Sequence, residues 1–166
     1  RLINVSLTNG KNEVVMALKY GRAIRFNEEV VRPMGRTAAG VKGATLGDEN
    51  DKVVGMVCIS KKDSQLLVVS EKGYGKRSSI DDYRVTNRGG KGVKTINVTD
   101  KTGYLVGILE VTDKDDLMII NKSGITIRTP VSELRVMGRA AQGVRLIKLN
   151  EDDEISSIAK IENLDK

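Results

Sequence analysis

The chain has 166 residues and a net charge of +6; 39% of its residues are hydrophobic but only 3% are aromatic, and Trp is absent, so one aliphatic core is expected and global disorder is not. Histidine is absent and Cys58 is the single cysteine, which excludes an intrachain disulfide and Ser-His-Asp or Cys-His catalysis and leaves almost no ligands for zinc. No apolar run approaches the roughly 20 residues that cross a membrane as a helix, and the chain begins at Arg1 with no signal sequence, so a cytoplasmic piece of a longer protein is expected.

The first part of the chain reads as four short strands, "INVSL" (3–7), "EVVMAL" (13–18), "GRAIRF" (21–26) and "GVKGATL" (40–46). Each is rich in β-branched and aliphatic residues and bounded by Gly, Asn or Asp. The second and third are joined by "KYG", a tight hairpin in which Gly21 takes positive φ. The pattern then recurs as "VVGMVCI", "QLLVVS", "YGKRSS" and "GVKTINV", and again as "LVGILEV", "DLMII", "GITIRT" and "GVRLIKL". Cys58, inside an apolar run, reads as a small buried hydrophobe. "EISSIAKI" near the end resembles a fourth copy of the first strand. The units run approximately 1–52, 53–104 and 105–154, with the first strand of a further unit at 155–161.

Many columns share one step. Arg36, Arg88 and Arg139 are 52 and 51 apart, and so are Gly40, Gly92 and Gly143. No long 3.6-residue apolar period appears. Four antiparallel strands in about 50 residues predict an all-β, propeller-like fold, of which three units form part of a larger disc. The Trp-Asp signature of WD40 repeats is missing, no kelch pattern matches, and β-solenoid repeats are usually shorter.

Four columns are basic in every unit: Arg25/Arg77/Arg128, Arg32/Arg84/Arg135, Arg36/Arg88/Arg139 and Lys42/Lys94/Arg145. On a disc they recur at a fixed angular step, a periodic cationic track suited to a bent duplex held by its phosphates without base reading. An Arg beside a Gly can instead bind backbone carbonyls and brace a turn. The Lys42 column follows an apolar Val in each unit, so strand alternation points it away from the core. Arg22, Lys72, Lys76 and Lys91 are not matched as basic in all units and read as solvated surface. Residues 53–104 are the most basic third, at net +5. The acidic run "NEDDE" (150–154) reads as a solvated turn, or as a brake on DNA access.

The loop "NRGGKG" (87–92) is one copy of the repeated element. It is no P-loop, because Gly92 is followed by Val93, Lys94 and a strand rather than by Lys-Ser/Thr and a helix. Its glycines let the backbone approach a phosphate closely, with amides and Lys91 as donors.

With "NRGGKGVKT" flanked by "MGRTAAGV" and "MGRAAQGV", the chain resembles the family of C-terminal domains of the DNA gyrase A subunit, over essentially its whole length; the related A-type subunit of topoisomerase IV is the closest rival. The resemblance implies a β-pinwheel of about six four-stranded blades, three of them here, with a strand exchanged between neighbours. It implies a basic perimeter that binds and wraps double-stranded DNA, with Arg25, Arg32, Arg36, Lys42, Arg77, Arg84, Arg88, Lys91, Lys94, Arg128, Arg135, Arg139 and Arg145 as contacts. Arg88-Gly89-Gly90-Lys91-Gly92 matches the last five positions of the family's Q-[RK]-R-G-G-K-G box, while Thr86 and Asn87 depart from the first two. The partners implied are DNA, the rest of the gyrase A subunit plus the gyrase B subunit, in a bacterial, nucleoid-associated setting. ATP and Mg²⁺ are implied only for the full enzyme, with no cofactor here. Tyr20, Tyr74, Tyr83 and Tyr104 read as strand or turn residues, so no DNA cleavage is expected. A propeller that serves as a protein-binding scaffold is the alternative.

Overall fold

A computed structural model of the chain describes residues 1–163. Its strands are β1 (Glu13–Leu18), β2 (Arg22–Asn27), β3 (Val53–Ile59), β4 (Gln65–Ser70), β5 (Tyr74–Ser79), β6 (Val85–Thr86), β7 (Val93–Lys94), β8 (Leu105–Val111), β9 (Asp115–Asn121), β10 (Thr126–Pro130), β11 (Val144–Arg145) and β12 (Ile155–Glu162). The only helical pieces among the described residues are three single 3₁₀ turns, Glu28–Val30, Ile80–Asp82 and Val131–Glu133. The first two are capped by the Asn27 and Ser79 side chains.

The strands form three sheets, which makes the fold all-β and propeller-like. In the first, β1 lies between β3 and β2, and β6 and β7 both attach to the outer side of β2. The second has the order β11-β5-β4-β8, and the third β10-β9-β12. The hairpins β1–β2, β4–β5 and β9–β10 follow the expected pattern, with Gly21, Gly73 and Gly124 at φ near +90°.

Each sheet is assembled from two successive units. β3 completes the sheet of β1, β8 that of β4, and β12 that of β9. At the other edge β7 pairs with β2, and β11 with β5. Both the first and the fourth segments of a unit therefore belong to the sheet of the unit before. That corrects the expectation of strands at 3–7 and 40–46: neither segment is a strand, because their partner would be a unit preceding the first, and none is among the described residues. Leu7 is accordingly 98% exposed. The fourth segments that do pair contribute only two residues each, β7 and β11.

β8 packs against both β3 and β12, so the three sheets meet along these strands, and β6, β7 and β11 lie at the opposite edge. The aliphatic core lies in two layers between the sheets and a smaller third cluster around Val14, Ile24 and Phe26. Val15, Ala17, Leu66, Val68 and Ile108 fill the space between the first and second sheets, and Leu67, Val69, Leu117 and Ile119 the space between the second and third. Alternate residues of β4 thus face opposite layers, which explains why "QLLVVS" is an unbroken apolar run. Cys58 is half-buried and free, packed beside Val14, Ile24 and Phe26.

A candidate nucleic-acid interface on the outer edge

The repeated cations occupy three kinds of place. Arg25 and Arg77 face inward to the joints between units. Arg25 pairs with Glu13 and donates through Nη1 to the carbonyls of Ile80 (2.9 Å) and Tyr83 (2.8 Å). Arg77, only 6% exposed, donates to the Leu134 carbonyl and to Asp113 Oδ1 (2.6 Å) and Gln65 Oε1 (3.2 Å). Both tie a third strand to the 3₁₀ turn of the next unit. Arg128 belongs to the last sheet, where no such turn follows among the described residues. It keeps its ion pair with Asp116 (2.8 Å) and stays exposed. The expected DNA contacts Arg25 and Arg77 are thus directed into the protein, because a guanidinium so placed satisfies carbonyls that would otherwise be buried without donors.

The second kind is a clasp. Arg88 donates to the carbonyls of Val30 (3.1 Å) and Lys42 (3.2 Å). One unit on, Arg139 donates to those of Asp82 (3.1 Å) and Lys94 (2.5 Å). The loops 87–92 and 137–143 are thereby tied to the 3₁₀ turn and the fourth segment of the preceding unit. Arg36, the first copy, makes no such bond among the described residues and is exposed. Neither clasp arginine has a carboxylate partner, so its charge still adds to the field at the edge.

The third kind is free cation. Arg32, Arg84 and Arg135 are exposed with no hydrogen bond or ion pair from their side chains, and the same holds for the side chains of Lys42, Lys91 and Lys94. Arg145 is exposed and donates to the Tyr74 hydroxyl (3.1 Å).

The glycines of the loop 87–92 serve its own backbone. Gly92 has φ +75°, and a Cβ there would lie 2.3 Å from the Ala23 carbonyl oxygen on β2. The Gly89 amide donates to the Gly43 carbonyl (2.6 Å), so it is not free for a phosphate. Lys91 is the exposed donor of the loop. Beneath it lies an open cleft of about 260 Å³ lined by Ile24, Arg84, Asn87, Gly90 and Lys91.

The structure corrects the reading of Lys76 as solvated surface and adds one further group. Lys76 is 1% exposed and donates to the carbonyls of Gly138 (2.7 Å) and Arg139. Burial, with repulsion from Arg139, pushes it down to about 8. Its column holds Ile24 and Ile127 in the sister units, an apolar setting that marks the position as interior. The further group is the surround of Tyr74, taken up below. The remaining cations read as solvated surface are mixed: Arg22 donates to the Gly92 carbonyl (3.1 Å), Lys72 to that of Asp100 (2.5 Å), and Lys91 is free. Among the tyrosines, Tyr83 is buried with its hydroxyl on Thr95, and Tyr20 stacks on Tyr104 (5.5 Å between centroids).

Sheets converging on one side and carrying cations on the other define a propeller-like domain with a basic outer edge. The family described as "DNA gyrase C-terminal domain, beta-propeller" matches residues 21–60, 64–112 and 115–162, and the chain belongs to that family. It is 48% identical over 161 residues, 96% of its length, to the DNA gyrase A subunit of Staphylococcus aureus strain MRSA252. It spans 18% of the length of that relative. Among solved structures, the C-terminal domain of DNA topoisomerase IV superposes with a TM-score of 0.90 at 26% identity, covering 96% of this chain and 50% of that one. A DNA gyrase A C-terminal domain gives 0.84 at 29% identity, covering 92% and 52%. The E. coli ParC C-terminal domain, at 0.71 and 21% identity, shares the fold.

Proposed function

We propose that the outer edge binds duplex DNA through its phosphates and bends it, as the wrapping module of a gyrase A-type subunit. The observation that carries the reading is the set of exposed cations without carboxylate partners, Arg32, Lys42, Arg84, Lys91, Lys94, Arg135 and Arg145, on an edge that recurs from unit to unit. Such contacts neutralise phosphates and read no bases, so the binding tolerates any sequence and weakens with salt, by a log–log slope of roughly −0.9 per contact. Arg36 and the clasp arginines Arg88 and Arg139 add positive field, and Arg128 contributes less because Asp116 neutralises it. In the full enzyme this wrap would present a DNA segment for ATP-dependent negative supercoiling, with ATP and Mg²⁺ handled elsewhere and cleavage performed outside this chain.

Fluorescence anisotropy with a duplex of about 40 base pairs, titrated with salt, tests it. Steep salt dependence and indifference to sequence are expected. Negligible binding at low salt would overturn the reading in favour of a protein-binding scaffold. The high superposition on a topoisomerase IV domain favours a second reading, in which the edge selects DNA topology without a strong wrap. Closing nicked circles in the presence of the chain separates the two: a shift in linking number supports the gyrase-type wrap, and no shift supports the other.

A further inference from the structure

At one end of the second sheet, beside the β4–β5 turn, an open pocket of about 400 Å³ is lined by Lys72, Tyr74, Lys101, Arg145, Lys148 and Glu151, among others. Tyr74 and Arg145 are register partners on β5 and β11. Tyr74 is only 7% exposed, and its ring carries Lys101 Nζ at 5.4 Å and the Arg145 guanidinium carbon at 5.6 Å from the centroid. Arg145 Nη2 donates to the Tyr74 hydroxyl, whose own proton has no acceptor among the described residues. The guanidinium, and then Lys101, hold this phenol below its ordinary range.

Four cations, Lys72, Lys101, Arg145 and Lys148, therefore line one pocket with a hydroxyl that has a proton to give, and none of the four has an ion-pair partner among the described residues. The acidic turn beside them leaves this charge uncancelled. Asp153 accepts from Ser123 Oγ (2.7 Å) and Asn121 Nδ2 (2.9 Å), and Glu154 pairs with Lys122 (2.6 Å). Only Glu151 of that run lines the pocket without a partner. The combination occurs once: the first unit has Tyr20, Arg22, Glu49 and Asn97 where the pocket has Lys72, Tyr74, Lys101 and Lys148.

We propose that this pocket is an anion site for a phosphate group, with Tyr74 as hydroxyl donor and Arg145, Lys101 and Lys148 as the charges around it, and that the group is a backbone phosphate of duplex DNA. A tetrahedral oxyanion matches converging N–H and O–H donors, and a phosphodiester brings no second partner requirement. Glu151 is the internal competitor, repelling the anion at the mouth. The inference rests on the duplex-binding reading and adds to it one contact deeper than the free cations of the edge.

The test uses the whole chain and its Tyr74→Phe, Lys101→Gln/Lys148→Gln and Glu151→Gln variants. Each is titrated with the 40-base-pair duplex across salt, and separately with inorganic phosphate followed by tyrosine difference absorbance. Wild-type binding decides the underlying reading, and its absence overturns both. Given that binding, Tyr74→Phe is expected to weaken duplex binding about ten- to a hundredfold at every salt concentration, the size of one hydrogen bond to a charged group. The lysine pair is expected to lower the slope by roughly 0.9 to 1.8, and Glu151→Gln to tighten binding. Unchanged duplex affinity and slope in the first two variants would overturn the proposal. If phosphate then still perturbs the wild-type tyrosine spectrum and not that of Tyr74→Phe, the site takes free phosphate; if it perturbs neither, the cations are solvated surface.

Discussion

The loops 87–92 and 137–143 occupy equivalent places on successive sheets and are held by equivalent arginines. Arg88 clasps Val30 and Lys42, and Arg139 clasps Asp82 and Lys94, each through two backbone carbonyls. Their floors differ. Under the first loop lies Ile24, a buried hydrocarbon 3.5 Å from where a Gly90 Cβ would be. Under the second lies Lys76, a buried ammonium group bonded to the carbonyls of the loop itself. The first loop therefore rests on its floor, while the second is tethered to it. The frame shared by the two is steric and the difference is electrostatic, so different perturbations expose each.

The largest effect is expected where the frame is tightest. In Gly92→Ala the new Cβ meets the Ala23 backbone at 2.3 Å, and in Gly143→Ala it meets the Gly75 carbonyl oxygen at 2.6 Å, both at positive φ. Each should cost about 4 kcal/mol in urea unfolding, and a much smaller loss in one would break the equivalence of the frames. The next test isolates the difference. Lys76 releases its proton near 8 in the folded chain and near 10.5 in the unfolded one. Between those values the unfolded chain binds more protons, so stability rises with pH, by on the order of 3 kcal/mol over the whole window. Urea midpoints from pH 7.5 upward should show this rise relative to Lys76→Met, in which it is absent; parallel curves would mean that the Lys76 ammonium is not desolvated beneath the loop. Arg88→Ala and Arg139→Ala each lose two bonds to carbonyls and should cost about 1 to 2 kcal/mol. Only the second should move the Lys76 window upward, because Arg139 repels that ammonium. Smallest of all, Lys91→Ala should leave stability within about 0.5 kcal/mol and lower the salt slope of duplex binding by roughly 0.9.

The hairpins and the propeller-like class were legible because apolar runs such as "QLLVVS" and the glycine after each "KY", "EK" or "KS" leave few other options. The partner of each strand was not. A constant step shows which residues are equivalent and says nothing of which unit supplies the neighbouring strand, so "INVSL" and "GVKGATL" read as strands although their partner is not among the described residues. The same limit applies to the cations. Arg25 and Arg84 are equally periodic, yet one lies in a joint beside Glu13 and the other in solvent. Lys76 was misread for the opposite reason: its charge suggested surface, whereas its Ile24 and Ile127 counterparts marked the interior.

Because each sheet borrows strands from the following unit, synthesis and folding are out of step. When β1 and β2 have left the ribosome, both of their outer edges are still unpaired: β3 comes next, but β7 follows only after the whole second hairpin has been made. At roughly 5–20 residues per second the edge of β2 stays open for a time on the order of seconds, a template for wrong pairing. Shortening the chain by one unit likewise does not remove one blade. It takes away the strands that the following unit lends, as β8 and β11 are lent to the second sheet, so truncations should be judged by the sheet they leave behind.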